Sequence, residues 1–255
     1  MRSGAWLMTA SALAVITVAT NATAQSIASR VDAVRDGTVQ MTFATRPGVC
    51  GDGRGGVWMQ DGNRSFNMNG DRQFTCVMGP VLVSIGRADG QTVSIRECVA
   101  CRSRGADGPS IGEVPAPEAA RYLLSLARTL AGRNADDAIT AAAFADAGNL
   151  APEFKRLIQD DGATIGARKQ ALFWFGQTGE STQDLIDLDG SLQGENLREQ
   201  YTFVLSQRRD DPAIHKLIDI ARRDPDVQVR KQAMFWLGQS RDPQAIQFFK
   251  DILRR

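Results

Sequence analysis

One histidine, His215, occurs in 255 residues. Nothing around it supplies the Asp and Ser of a triad or the further ligands of a metal centre. Its neighbours Ile214 and Leu217 place it on a helical apolar pattern, where a surface or partly packed role is expected. A nucleophile elbow is lacking too, as is a glycine loop followed by Lys-Ser or Lys-Thr to cradle phosphate. The acidic pairs Asp136-Asp137, Asp160-Asp161 and Asp210-Asp211 fall where helices begin or end, so capping and solvation explain them first. The expectation is a protein that is not an enzyme and carries no cofactor or metal. Excess charge of one sign is also missing: Lys and Arg total 30 against 29 Asp and Glu. That balance offers no field for nucleic acid or for a membrane surface. Past the N-terminus no apolar run approaches the about 20 residues of a membrane span, so no integral membrane segment is expected in the mature chain.

The N-terminus itself reads as an export signal over residues 1–24. Arg2 gives the positive region, Ala5 to Thr20 the apolar stretch, and Ala22-Thr23-Ala24 small residues for cleavage before Gln25. A periplasmic or secreted location follows. Removal of Arg2 leaves 29 charges of each sign.

Residues 25–102 read as a β-rich module, in which the chain favours strands from Thr38 to Val99. Val39, Met41 and Phe43 alternate with polar or small residues, and Val81, Val83 and Ile85 do the same before Ala88-Asp89-Gly90, after which Val93 and Ile95 resume. This is a hairpin. A two-residue Asp-Gly turn would pair Ile85 with Ser94 and split the apolar residues between faces. A three-residue loop with Gly90 left-handed pairs Ile85 with Val93 and Val83 with Ile95, and is preferred. Residues 51–73 read as loops and short strands.

All four cysteines, Cys50, Cys76, Cys98 and Cys101, lie in this small region. An even number in an exported chain argues for disulfides that support a small core. The favoured pairs are Cys50 with Cys76 and Cys98 with Cys101. Two alternatives compete. Arg96, Arg102 and Arg104 surround Cys98-Val99-Ala100-Cys101 and would lower a thiol's pKa, as redox catalysis requires. The motif nevertheless follows a strand rather than opening a helix. A four-thiolate zinc site would need a second Cys-x-x-Cys, which is absent.

Residues 103–116, with Gly105, Gly108, Pro109, Gly112 and Pro115, read as a linker. Beyond it the chain is helical and repetitive over residues 117–255. Arg168-Lys169-Gln170-Ala171-Leu172-Phe173-Trp174-Phe175-Gly176-Gln177 returns as Arg230-Lys231-Gln232-Ala233-Met234-Phe235-Trp236-Leu237-Gly238-Gln239, with a degenerate copy at Arg198 to Gln207 between them. Such a period signals a solenoid. Asp211-Pro212, Asp224-Pro225 and Asp242-Pro243 each place an N-cap carboxylate before a proline at the first helical position. Gly176 and Gly238 mark helix ends. Ile214, Leu217, Ile218 and Ala221 form one apolar stripe, and Ile246, Phe249 and Leu253 the corresponding one. Residues 183–194 are too rich in Gly and Asp for a full helix.

These units, with the Val229 to Ala233 start and a second helix opening at Asp-Pro, resemble HEAT repeats of the short, phycobilisome-lyase-like variety. The likeness runs from about Thr164 to Arg255. It implies an α-α solenoid following a β-rich module, an α+β multidomain protein. Equivalent aromatic residues Phe173, Trp174, Phe235 and Trp236 should interlock as core. Arg168, Arg198 and Arg230 recur in register and, with Lys169 and Lys231, are the candidate partner-binding residues. Pairing with nearby Asp and Glu on a solvated face is the plainer account of them. The reading is an exported, non-catalytic scaffold that binds a protein or peptide through its repeat surface. Its rival is an envelope thiol-disulfide oxidoreductase using Cys98 and Cys101.

Overall fold

The computed structural model describes residues 25–61, 64–67, 75–102, 108–177, 181–208 and 210–254. The expected signal peptide, residues 1–24, lies outside them, as do residues 103–107 of the expected linker.

Helix α1 (Ile27–Asp32) precedes strands β1 (Gly37–Phe43), β2 (Val49–Gly51), β3 (Val57–Asp61), β4 (Arg64–Asn67), β5 (Val81–Ala88), β6 (Gln91–Val99) and β7 (Ser110–Glu113). Period-two alternation buries Val39, Met41 and Phe43 of β1 and Val81, Val83 and Ile85 of β5. The main sheet has the order β6-β5-β1-β7, and β2-β3-β4 form a smaller one. Cys50 on β2 is bonded to Cys76, and Cys98 on β6 to Cys101, with Cα separations of 5.4 and 5.7 Å.

The β5–β6 hairpin corrects the expected register. Its turn has two residues, Asp89 (φ 50°) and Gly90 (φ 75°), closed by Ala88 opposite Gln91. Ile85 pairs with Ile95 and Val83 with Glu97, because the register shifts between Gly86 and Arg87. Val93 is the extra residue of that bulge and is 52% exposed, whereas Ile95 is 1% exposed. A bulge thus restores the common apolar face that the longer loop was invoked to provide. Buried Arg87 fixes the site: it donates to the carbonyls of Gly90 and Val34, to Thr92 and to Asp32.

Part of the expected linker is a strand. Ser110–Glu113 runs parallel to β1 as β7, and Gln40 N donates to Pro109 O at 2.9 Å, Val114 N to Thr42 O at 2.9 Å. Gly108 makes this approach feasible, since a Cβ there would sit 2.1 Å from Thr38 O. Most of the strand's side chains are exposed, so no apolar alternation announced it.

Nine helices follow among the described residues: α2 (Ala116–Ala127), α3 (Arg133–Phe144), α4 (Ala151–Ile158), α5 (Ile165–Gln177), α6 (Thr182–Ile186), α7 (Glu195–Ser206), α8 (Asp211–Arg223), α9 (Val227–Ser240) and α10 (Pro243–Leu253). Helices α3, α5, α7 and α9 pack side by side in one layer, with the even-numbered helices behind them. The array repeats every second pair: α3 and α7 begin 62 residues apart (Arg133, Glu195), as do α5 and α9 (Ile165, Val227). As expected, residues 183–194 hold only short α6 and a 3-10 turn at Asp189–Ser191.

Capping follows the aspartate rule with shifts. Asp242 caps α10 before Pro243 as anticipated, but Asp210 rather than Asp211 caps α8. Asp226 caps α9, while Asp224 ends α8. Gly176 and Gly238 lie inside α5 and α9, not beyond them. Gly176 is there for contact, because a Cβ would come within 2.3 Å of Val204 Cγ1 on α7. The last stripe is also corrected: α10 buries Ala245 and Phe248, while Ile246 and Leu253 are exposed.

One apolar core runs from Ile27 through both layers to Phe248, because α3 packs directly on β6 and β5. Asn134 joins these elements by hydrogen bonds, its Oδ1 accepting from Ile95 N at 3.3 Å and its Nδ2 donating to Val93 O at 2.9 Å.

Candidate functional site

The recurring arginines face inward. Arg168 is 8% exposed; its Nε donates to Ile158 O at 2.7 Å, at the end of α4, and its Nη1 to Asp161 Oδ1 at 2.8 Å. Arg230 Nη1 donates to Asp224 O at 2.6 Å and Pro225 O at 3.2 Å. Arg198 pairs with the Asp224 carboxylate, whose other oxygen accepts from Asp226 N at 2.9 Å. Each cation therefore satisfies a helix C-terminus or its cap, where positive charge is favoured. The expected row exists, but as internal stapling between helices rather than an open cationic strip. Lys169 is half-buried and Lys231 exposed, on the outer side of the same layer.

That layer carries a cleft of about 420 Å³ spanning α3, α5 and α7. Asp136, Lys169, Gln170, Phe173 and Gln200 line it, with the buried Trp174 beneath. Burial raises the Asp136 carboxyl above its ordinary value. Thr140 anchors the wall, accepting from both Gln170 Nε2 and Trp174 Nε1 at 3.2 Å. Aromatic rings then connect the helices in a chain. Phe144 meets Trp174, Trp174 meets Phe173, Phe173 stacks on Phe203 at 6.4 Å with planes 13° apart, and Phe203 meets Trp236. The core expectation fits Trp174, which is fully buried, but not Phe235, which is 52% exposed.

Four of the ten repeat positions are identical in all three sequence copies: the arginine, the first glutamine, the phenylalanine and the last glutamine. Stapling explains the arginine. Gln170, Gln200 and Gln232 are half-buried at one position on successive helices, and Gln200 and Gln232 make no side-chain hydrogen bond among the described residues. Their threefold recurrence is legible in the sequence beside that of the charged and aromatic members of the motif, but only the fold shows that these amides share one face. Asp136, expected from its place near a helix end to cap or to be solvated, lines the cleft instead.

The cysteine pairs are the favoured ones, and the four contain no free thiol. Cys98 and Cys101 flank a turn in which Ala100 takes φ 60° and its N donates to Pro80 O at 3.0 Å. Gly79 permits the approach, since a Cβ there would lie 2.8 Å from Ala100 Cα. The pair closes a strand end against neighbouring backbone and opens no helix.

The family profile described as PBS lyase HEAT-like repeat matches residues 229–255, which span nearly all of α9 and α10. The C-terminal helix pair is similar to a PBS lyase HEAT-like repeat. Internal repetition carries the HEAT-like pattern back to α5, and the pairwise packing of the earlier helices is consistent with it. A HEAT-like region suggests protein binding in general and names no partner. No curated protein and no solved structure matches the chain. Among the described residues, no helix is long and apolar enough to cross a membrane.

Proposed function

We propose that this is an exported, non-catalytic binding protein that captures a protein or peptide through the face formed by α3, α5, α7 and α9. The observation that carries the reading is the cleft itself. It is lined by the glutamine and phenylalanine that recur in every copy of the motif, side chains that contact and hydrogen-bond but perform no chemistry. The recurring arginines support the reading indirectly, by stapling the helices into a rigid surface that needs little ordering on binding. The oxidoreductase alternative has less support, because Cys98 and Cys101 lie at a strand end rather than at a helix N-terminus, where a thiolate would be stabilised.

Site-specific photocrosslinking tests the reading. A benzophenone side chain at Phe203, on the binding layer, should form a defined adduct when the full chain is irradiated in its native extract. The same group at Arg121, exposed on α2 in the other layer, should not. Adducts from Arg121 alone, or from neither position, would show that the face binds nothing.

A further inference from the structure

We propose that the occupant of this face is an extended, largely uncharged polypeptide segment, held through its backbone by the primary amides of Gln170, Gln200 and Gln232 and through alternate side chains by Phe173 and Phe203. The inference rests on the binding face proposed above and specifies what lies on it.

Three observations lead there. The first is the unexplained recurrence of glutamine. A primary amide offers a donor and an acceptor side by side, the complement of a peptide's C=O and N–H. The protein already contains this pairing: Asn134 accepts from Ile95 N and donates to Val93 O, holding the outer edge of strand β6. Gln200 and Gln232 present the same group with no partner among the described residues.

The second is spacing. Phe173 and Phe203, equivalent residues of adjacent helices, have centroids 6.4 Å apart. Two residues of extended chain advance about 6.6 to 6.8 Å and return the side chain to the same side. Successive rings thus meet residues i and i+2 of a strand-like ligand. A helical ligand, rising about 1.5 Å per residue, brings no such two-residue repeat.

The third is charge. At the position after the arginine, Lys169, Glu199 and Lys231 alternate in sign along the layer. Alternation produces little net field, so neither a polyanion nor a polycation is preferred. Recognition then falls on neutral amides and rings, which suits a backbone-reading site with loose side-chain preference.

The test uses the full-length protein and a displayed library of random nonapeptides. An enriched peptide is resynthesised with single backbone N-methyl groups, and affinities are measured for the wild type and for Gln170→Leu, Gln200→Leu and Gln232→Leu. Leucine has a helix propensity similar to glutamine, and thermal melts verify that each variant folds. Each substitution should weaken binding roughly three- to tenfold, the range for losing neutral hydrogen bonds. Gln159→Leu, exposed at the end of α4 in the other layer, should stay within about twofold. N-methylation at the contacted peptide bond should cost the wild type a similar factor and cost the matching leucine variant much less, as coupled partners do. Unchanged affinity in all three row variants would overturn the amide pairing, even with peptides bound. A library that yields no peptide would overturn the extended-chain inference, while the Phe203 crosslink reports separately whether the face binds a folded protein.

Discussion

Gly176 and Gly238 occupy the same place in α5 and α9 but meet different surroundings. Beside Gly176 stands Val204 of the next helix, and a Cβ would approach its Cγ1 to 2.3 Å; around Gly238 nothing lies within 4 Å. Gly176→Ala should therefore force α5 and α7 apart and cost about 1–3 kcal/mol by overpacking. Gly238→Ala should stabilise by about 0.5–1 kcal/mol, because alanine restricts the unfolded chain and favours helix. Urea denaturation of the two variants reads the opposite signs directly. The motif's length and period were legible in the sequence, yet each glycine read as a stop signal, because close helix approach is a tertiary fact without a local signature. The arginines were read for their charge, and only the fold shows that Asp224 and Ile158 O consume it.

At the scale of elements, the two disulfides differ in how much chain they restrain. Cys50–Cys76 spans 26 residues and Cys98–Cys101 only 3. Loop-closure entropy assigns them about 3.5 and about 2 kcal/mol. Cys50 is buried on β2 but its partner Cys76 is exposed, and Cys98 and Cys101 are half-buried, so exposure does not rank the two bonds and the length of chain they close does. Mild reduction followed by alkylation under native conditions should open Cys98–Cys101 first, with modest loss of stability. Cys50→Ala with Cys76→Ala should lower the thermal midpoint more than Cys98→Ala with Cys101→Ala. Prior opening of Cys50–Cys76, read by intact mass, would contradict this order. Long elements were legible from their periods: β1, β5 and the amphipathic helix α8, whereas the buried face of α10 was not. Small ones were not. Strand β7 is held by backbone groups with most side chains in water, and the bulge at Val93 answers a packing demand of the whole sheet.

The whole molecule is joined where the sheet meets α3, and an acid sits in the joint. Glu97, on the same side of β6 as buried Ile95 and Val99, has its carboxyl pushed up to about 8, chiefly by burial and secondarily by Asp137, against the opposing pull of Arg133 and Arg96. The folded protein thus holds a proton that the unfolded chain releases near 4.5. Folding binds protons between those values, so this contribution to stability is full below about pH 4.5, falls as pH rises, and is gone above about 8. Glu97→Gln keeps the neutral shape. Its advantage in melting temperature over the wild type should be small at pH 5 and grow towards pH 8; a constant difference across that range would place the proton elsewhere.

The amide of Asn134 has a consequence beyond fastening α3 to the sheet. It occupies the N–H of Ile95 and the C=O of Val93 on β6, an outermost strand, while the opposite margin is formed by β7, four residues long and ending in Glu113. Unpaired strand margins recruit strands from other molecules and seed aggregates. Here the helices shield one margin, and the other is short and ends in a charge, so the sheet is poorly disposed to polymerise. In return the sheet covers α3, the first member of the helical row, and so substitutes for the polar capping repeat that such arrays require. Each half is the other's protection against self-association, which gives the β-rich module a reason to persist beside the repeats even if it never touches the ligand.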